Sequence, residues 1–185
     1  MCKITVTLTD MLSDIIRLKE VKRAGWVAKL HIADGESVAD HSYSTAMIGM
    51  ILSDMLELDS EKVIRMALLH DLAESEIGDI MPGRMPRAQK SKLEDVAFER
   101  IMSKLPSDSP RSAYTDIWRE YCQNDTPESR LVHQVDSLDM ALQAAAYERT
   151  KRTGHDVGEF ISSADVVITD ATIRDILEEI MQNRG

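Results

Sequence analysis

The sequence predicts an all-α fold. Almost every segment repeats its apolar residues at the helical period with little strand-type alternation, and recognisable helix-start signals stand just ahead of the apolar runs. The first predicted helix runs from about Thr9 to Lys22 and sets Met11, Leu12, Ile15, Ile16 and Leu18 largely on one face. A loop through Gly25, Trp26 and Gly35 follows. Ser37-Val-Ala-Asp40 then has the form of a capping box, in which hydroxyl and acid each satisfy a backbone N–H that the helix leaves free. Met47, Ile48, Ile51, Leu52 and Met55 carry an apolar stripe onward to about Glu57, so His41 falls in the first turn. Asp59 or Ser60 caps the next helix, whose Val63, Ile64, Ala67 and Leu68 lead directly into His70 and Asp71 before Gly78 and Pro82-Gly83 end the pattern.

A basic stretch with Arg84, Arg87, Lys90 and Lys92 overlaps a helix predicted from about Ala88 to Leu105, which carries Leu93, Ala97 and Ile101. Pro106 to Pro110 breaks the chain, and a shorter helix holds Tyr114, Ile117, Trp118 and Tyr121. Thr126-Pro127 gives an N-cap followed by proline at the first helical position, where its missing N–H costs nothing, and opens a long helix to about Arg152 with Asp136 facing inward. Gly154 and Gly158 interrupt the pattern, and a last helix from about Asp170 to Gln182 buries Ile173, Ile176, Leu177 and Ile180. There is no internal repeat.

The chain has 185 residues and no Pro/Gly/Ser-rich linker, which predicts one domain, with a core over about 9–152 and a helical extension over about 155–185. Hydrophobic and charged contents of 43% and 29% are those of a water-soluble globular protein. MCKITVTLTD has one lysine and no long apolar run, unlike a secretory signal, so the expected compartment is the cytoplasm. Cys2 and Cys122 have no metal-type spacing and are expected to be reduced thiols. A net charge of -10 repels polyanions and anionic bilayers, so neither polymeric nucleic acid nor a membrane is an expected partner. Small phosphorylated molecules remain compatible, because a cation and a few arginines reverse the field locally.

Four residues carry the chemistry. His41, His70, Asp71 and Asp136 offer two imidazoles and two carboxylates, a mixed N/O set suited to a divalent metal with positions left for water and substrate. Adjacent residues on a helix diverge by about 100 degrees, so His70 and Asp71 converge only at a distorted or terminal turn. Asp136 interrupts Val132, Val135, Leu138 and Ala141 on a face that is otherwise core, where an unpaired carboxylate is costly. A hydrogen-bonded histidine at a helix C-terminus would explain His70 equally well if the dipeptide stood alone. Glu74 follows His70 by four residues, so the two share a face if the helix persists, and Asp79 comes just after Gly78.

The strings ESVADHS, ALLHDLAESEIGDI and QVDSLDMALQAAAYE, with Arg23-Ala-Gly-Trp26 and Lys90-Ser-Lys-Leu-Glu94-Asp-Val-Ala97, resemble the HD-domain metal-dependent phosphohydrolases, and among them the 5'-deoxynucleotidase branch. The resemblance spans about Leu18 to Glu148 and implies an HD-domain helical bundle, usually a homodimer. The implied reaction cleaves deoxyribonucleoside 5'-monophosphates to deoxynucleoside and phosphate. One divalent ion is implied as cofactor, from the set cobalt, manganese, copper, nickel, zinc, iron or magnesium. It makes His41, His70, Asp71 and Asp136 the metal ligands and Glu74 the acid/base residue. Asp79 would contact the sugar hydroxyl or orient the reacting water, Arg23 would hold the phosphate, and Trp26 would pack near the sugar where a 2'-hydroxyl could be excluded. The Ile80-Met81-Pro82 that follows Gly78-Asp79 departs from the Thr-Pro expected there.

Two other readings are compatible with the residues: the same chemistry on a triphosphate, cyclic or signalling nucleotide, and a non-catalytic metal- or nucleotide-binding module. Plainer roles also stand beside the functional ones. His133 is structural or orients Asp136, Asp139 is a hydrogen-bond partner in place of a ligand, and His155 belongs to a loop. The methionines are core packing, and the basic segment is either a solvated loop or a phosphate-facing lid.

Overall fold

The computed structural model describes residues 2–184, with side chains from residue 8 onward, so the expectation for the Cys2 thiol lies outside the described residues. In chain order the helices are α1 (Cys2–Arg17), α2 (Ala24–Leu30), α3 (Val38–Met55), α4 (Ser60–Leu69), α5 (Glu74–Ile77), α6 (Arg87–Ser103), α7 (Asp108–Gln123), α8 (Pro127–Arg149), α9 (Gly158–Val167) and α10 (Ala171–Gln182). Among the described residues there is no strand, only an isolated bridge between Lys22 and Ser37, and no helix long and apolar enough to cross a membrane.

The predicted caps form. Asp40 N donates to Ser37 Oγ at 3.1 Å while Ser37 N donates to Asp40 Oδ2 at 2.8 Å, which fixes the start of α3 and with it the position of His41. Asp59 accepts from Lys62 N at the start of α4, Thr126 and Ser129 exchange hydrogen bonds across Pro127, and Asp170 accepts from Thr172 N and Ile173 N.

Helices α3, α4 and α8 pack on one another, and α9 and α10 cover α8. They share a core that includes Leu52, Met66, Ala67, Val135, Leu138, Phe160 and Ile173. A second cluster joins α1, α6 and α7 through Met11, Phe98, Ile101 and Trp118, with Phe98 stacked on Trp118 at 4.4 Å between ring centroids. The turn after α4 crosses from the first cluster, at Met66 and Ala67, to the second, at Leu72 and Ala73. His70 and Asp71 therefore sit on the seam.

Several expectations are corrected. The first helix ends at Arg17 and not at Lys22, because the following carbonyls of Leu18 and Val21 accept from Ala39 N and Val38 N, free N–H groups at the start of α3. Its predicted apolar face is not a buried one: α1 buries Met11 and Asp14, with Leu18 just beyond it, and exposes Leu12, Ile15 and Ile16. The segment expected as a loop contains α2, whose N-terminal residue Ala24 donates its N–H to Asp79 Oδ2 at 2.6 Å, a cap supplied from far along the chain. Helix α9 was likewise not predicted; Asp156 accepts from Gly158 N at its start, and its Phe160, Ile161 and Ala164 are buried. Pro110 lies within the first turn of α7, where its absent N–H has no partner to lose, so the break is shorter than expected.

Ile173 is fully buried in the core that α8, α9 and α10 share. Ile173→Ala is expected to destabilise the protein by about 2–5 kcal/mol, in one transition observed alike by far-UV circular dichroism and tryptophan fluorescence. Two separated transitions would show that the C-terminal helices melt on their own.

Candidate metal and phosphate site

His41 from the first turn of α3, His70 and Asp71 from the turn after α4, and Asp136 from within α8 meet at one point. His41 Nε2 lies 3.1 Å from Asp136 Oδ1, 3.7 Å from Asp71 Oδ2 and 3.3 Å from His70 Nε2, and His70 Nε2 lies 3.3 Å from Asp71 Oδ2. Helix α4 ends at Leu69, so the terminal turn at which adjacent side chains can converge is present. The same ending separates Glu74 from His70: they do not share a continuous helix, and Glu74 instead opens α5.

The far nitrogen of each ring fixes its tautomer. His70 Nδ1 donates to the Ala67 carbonyl at 2.6 Å, and His41 Nδ1 donates to Asp139 Oδ2 at 2.7 Å. In the neutral rings both Nε2 lone pairs then point at each other and at two carboxylates, a repulsive arrangement unless positive charge sits among them. The residues therefore fit a divalent cation, for which His41, His70, Asp71 and Asp136 are the available donors. The electrostatics of the protein alone agree. Burial and Arg23 oppose charge on His41, but Asp136 and Asp139 outweigh them and raise its pKa to about 10. Burial likewise works against the Asp136 carboxylate, and His41, His70 and Arg23 overcome it and hold the group below its usual range.

Around this point lies a cavity of about 450 Å3 lined by residues of α2, α6, α7, α8 and α9. Arg23 Nη1 donates to Asp71 Oδ2 at 3.2 Å, and its Nη2 lies 3.9 Å from Asp136 Oδ1. Burial opposes the guanidinium charge, but Asp71, Asp136, Asp79 and Glu74 together more than offset it. Glu74 is buried, and its Oε2 has no hydrogen-bond partner. Burial first, then Asp71 and Asp79, push its pKa far above the carboxylate range against the pull of Arg23 and Lys90, which favours the neutral acid. Gly78 has φ +73, a conformation that strains any side-chain-bearing residue, and the chain then continues into Asp79 on the cavity wall.

The remaining sequence candidates divide clearly. Asp79 lines the cavity and also holds the start of α2. Trp26 reaches the wall but is a core residue: its indole N–H donates to Glu36 Oε1 at 2.8 Å, and its ring packs against Tyr147 and Phe160. Asp139 is the hydrogen-bond partner of His41. His133 does not orient Asp136; its Nε2 donates to the Tyr121 carbonyl and its ring stacks on Tyr121. His155 pairs with His31 at 4.7 Å between centroids. In the basic segment Arg87 and Lys90 line this cavity, while Arg84 lines a neighbouring depression. Sequence reasoning missed the Lys90–Glu94 pair as a cavity feature, along with Tyr121, Phe160 and Ser163. The four-residue spacing of Lys90 and Glu94 was readable as a helical ion pair, but not which way it faces.

Comparison with known proteins places the chain among relatives of the same fold. The family model of the HD domain matches residues 15–176. Human 5'-deoxynucleotidase HDDC2 is 32% identical over 180 residues, which cover 97% of this chain and 87% of the human protein. The crystal structure of PH0347 protein from Pyrococcus horikoshii superposes with a TM-score of 0.77 at 32% identity, covering 93% of this chain and 97% of that one. A predicted metal-dependent phosphohydrolase from Magnetospirillum magnetotacticum shares the fold, with a TM-score of 0.67 at 21% identity and coverage of 96% and 93%.

Asp139 fixes the His41 tautomer without facing the shared centre. Asp139→Asn is expected to weaken manganese binding about 10–100-fold in isothermal titration, with the fold retained by circular dichroism. An unchanged affinity would show that the tautomer is set by something else.

Proposed function

The chain belongs to the HD domain family, and from that premise we propose that it hydrolyses deoxyribonucleoside 5'-monophosphates to deoxynucleoside and inorganic phosphate with one divalent metal ion. The observation that carries the proposal is the approach of His41 Nε2 and His70 Nε2 to 3.3 Å between two carboxylates, beside a buried glutamate with an unpartnered oxygen and an arginine. His41, His70, Asp71 and Asp136 would hold the ion. When bound, it supplies charge neutralisation for the phosphoryl group and activation of water. The mixed N/O donor set accepts cobalt, manganese, copper, nickel, zinc, iron or magnesium, with availability deciding among them.

The chain's own residues do the rest. Arg23 spends part of its donor fork on Asp71 and retains further N–H groups that can bind phosphate oxygens. Glu74, held neutral by burial and by Asp71 and Asp79, has a proton to give to the departing 5'-oxygen, and its unpartnered Oε2 is free of competing bonds. Asp79 is suited to contact the sugar, but its bond to Ala24 N also fixes α2 and therefore Arg23. Trp26, with its indole N–H committed to Glu36, acts by shape, closing the wall near the sugar. All five histidines are accounted for: beyond His41 and His70, the others are engaged with Tyr121 or with each other, which leaves no further imidazole for a second metal.

Tyr43, Met47, Ile51 and Met55 recur at helical spacing along α3 and are exposed, with Met55 at 62%. This stripe supports a homodimer as the working unit. Ile51→Lys is expected to convert the dimer to a monomer in multi-angle light scattering; a wild-type protein that is already monomeric removes the dimer from the proposal.

The decisive experiment is phosphate release from deoxyribo- and ribonucleoside monophosphates, triphosphates and cyclic nucleotides, with chelator-stripped protein resupplied with single metals. Metal-dependent release confined to the deoxy monophosphates is expected, and release from another class would redirect the substrate assignment. Glu74→Ala is expected to keep metal while losing about 10²–10⁴-fold in turnover. Loss of metal in that variant would make Glu74 a ligand and not an acid.

A further inference from the structure

We propose that Lys90 is a second phosphate-binding cation of the cavity, held by Glu94 in the resting protein and transferred to the phosphoryl oxygens when substrate enters. The inference deepens the phosphomonoesterase reading and rests on it. Lys90 and Glu94 stand one turn apart on α6, both line the cavity, and Lys90 Nζ lies 3.3 Å from Glu94 Oε1 with the two side chains 30% and 24% exposed. A helical pair of this spacing ordinarily faces solvent; this one faces the chemistry.

The charges of the cavity favour a second cationic side chain beside Arg23 and the metal ion proposed above. A monophosphate brings about two negative charges at neutral pH toward Asp71, Asp79, Asp136 and Glu94, and only part of the positive lining is available to it. Arg23 already spends part of its fork on Asp71 and stands 3.9 Å from Asp136, and Lys29 is paired with Glu159 at 2.5 Å. Arg87 is exposed at the start of α6. Lys90 differs in its surroundings: burial opposes its charge, but Glu94 and then Asp71 more than offset this, which places it within the field of a proposed ligand. Its partner is the weaker holder of charge, since burial and Asp71 both disfavour the Glu94 carboxylate and only Lys90 is close enough to oppose them strongly. An ammonium on a flexible stem, with three donors that rotate freely, can change acceptors without rebuilding its site, which a forked guanidinium braced on two aspartates does less readily.

The test uses the full chain loaded with manganese and takes inorganic phosphate, the expected product, as the probe. Lys90→Met is expected to raise the Kd for phosphate in isothermal titration about tenfold, and to raise KM for the monophosphate with a smaller change in kcat. Lys90→Arg is expected to recover most of the affinity. Glu94→Gln is expected to shift it the opposite way and bind phosphate more tightly, because Lys90 is then released. If Lys90→Met and Glu94→Gln move phosphate affinity in the same direction, or change melting temperature alone, the pair is a structural ion pair and the proposal is overturned. Opposite shifts in a protein that hydrolyses no nucleotide would uphold the phosphate subsite while removing the reaction assigned to it.

Discussion

Two imidazole nitrogens, His41 Nε2 and His70 Nε2, held 3.3 Å apart between the carboxylates of Asp71 and Asp136, are the constraint on which this structure turns. Such a cluster is unfavourable in a protein interior unless a cation completes it or protons substitute for one. Everything near it works to keep the donors aimed inward despite that cost. The capping box fixes where α3 begins, and so where His41 stands. The Ala67 carbonyl and Asp139 hold the two rings in one tautomer. The packing of α3 and α4 on α8 prevents the elements from separating to relieve the repulsion.

The wall of the cavity shows a second level of coupling. Asp79 is at once a cavity acid and the remote cap of α2, and α2 follows directly from Arg23, so the position of the arginine depends on an aspartate far along the chain. Arg23 in turn braces Asp71 and Asp136. His41, Asp71, Asp136, Arg23 and Asp79 thus form one connected network, in which removal of any member leaves others with unbalanced charge. Additivity of substitutions is not expected within it. Glu74 stands somewhat apart, because its Oε2 lacks a partner: a hydrogen bond or ion pair donated to that oxygen would favour the charged form.

The C-terminal helices belong to the same construction. Phe160 of α9 packs on Trp26 with ring centroids 4.3 Å apart and lines the cavity beside Ser163. Helix α2 is held in place between Asp79 on one side and Phe160 on the other, and a Cβ on Gly25 would press within 3.3 Å of the Phe160 ring. A segment that contributes none of the four converging donors therefore shapes the cavity beside them.

What the sequence determined by itself was whatever depends on short-range chemistry. Apolar period and local caps gave the all-α class and the starts of α3, α4, α8 and α10, because Ser37, Asp59, Thr126 and Asp170 satisfy N–H groups two or three residues away. The donor set His41, His70, Asp71 and Asp136 was legible because its residue types are costly in apolar runs unless they bind something. The tertiary structure alone decided the rest. Helices α2 and α9 escaped detection because the first takes its cap from Asp79 and both are held by packing that no local window contains. It also decided that Trp26 is spent on Glu36, that Leu12, Ile15 and Ile16 of α1 lie outward, and that Lys90 and Glu94 turn toward the cavity. A side chain's direction depends on which neighbour covers its helix, and covering is a long-range event.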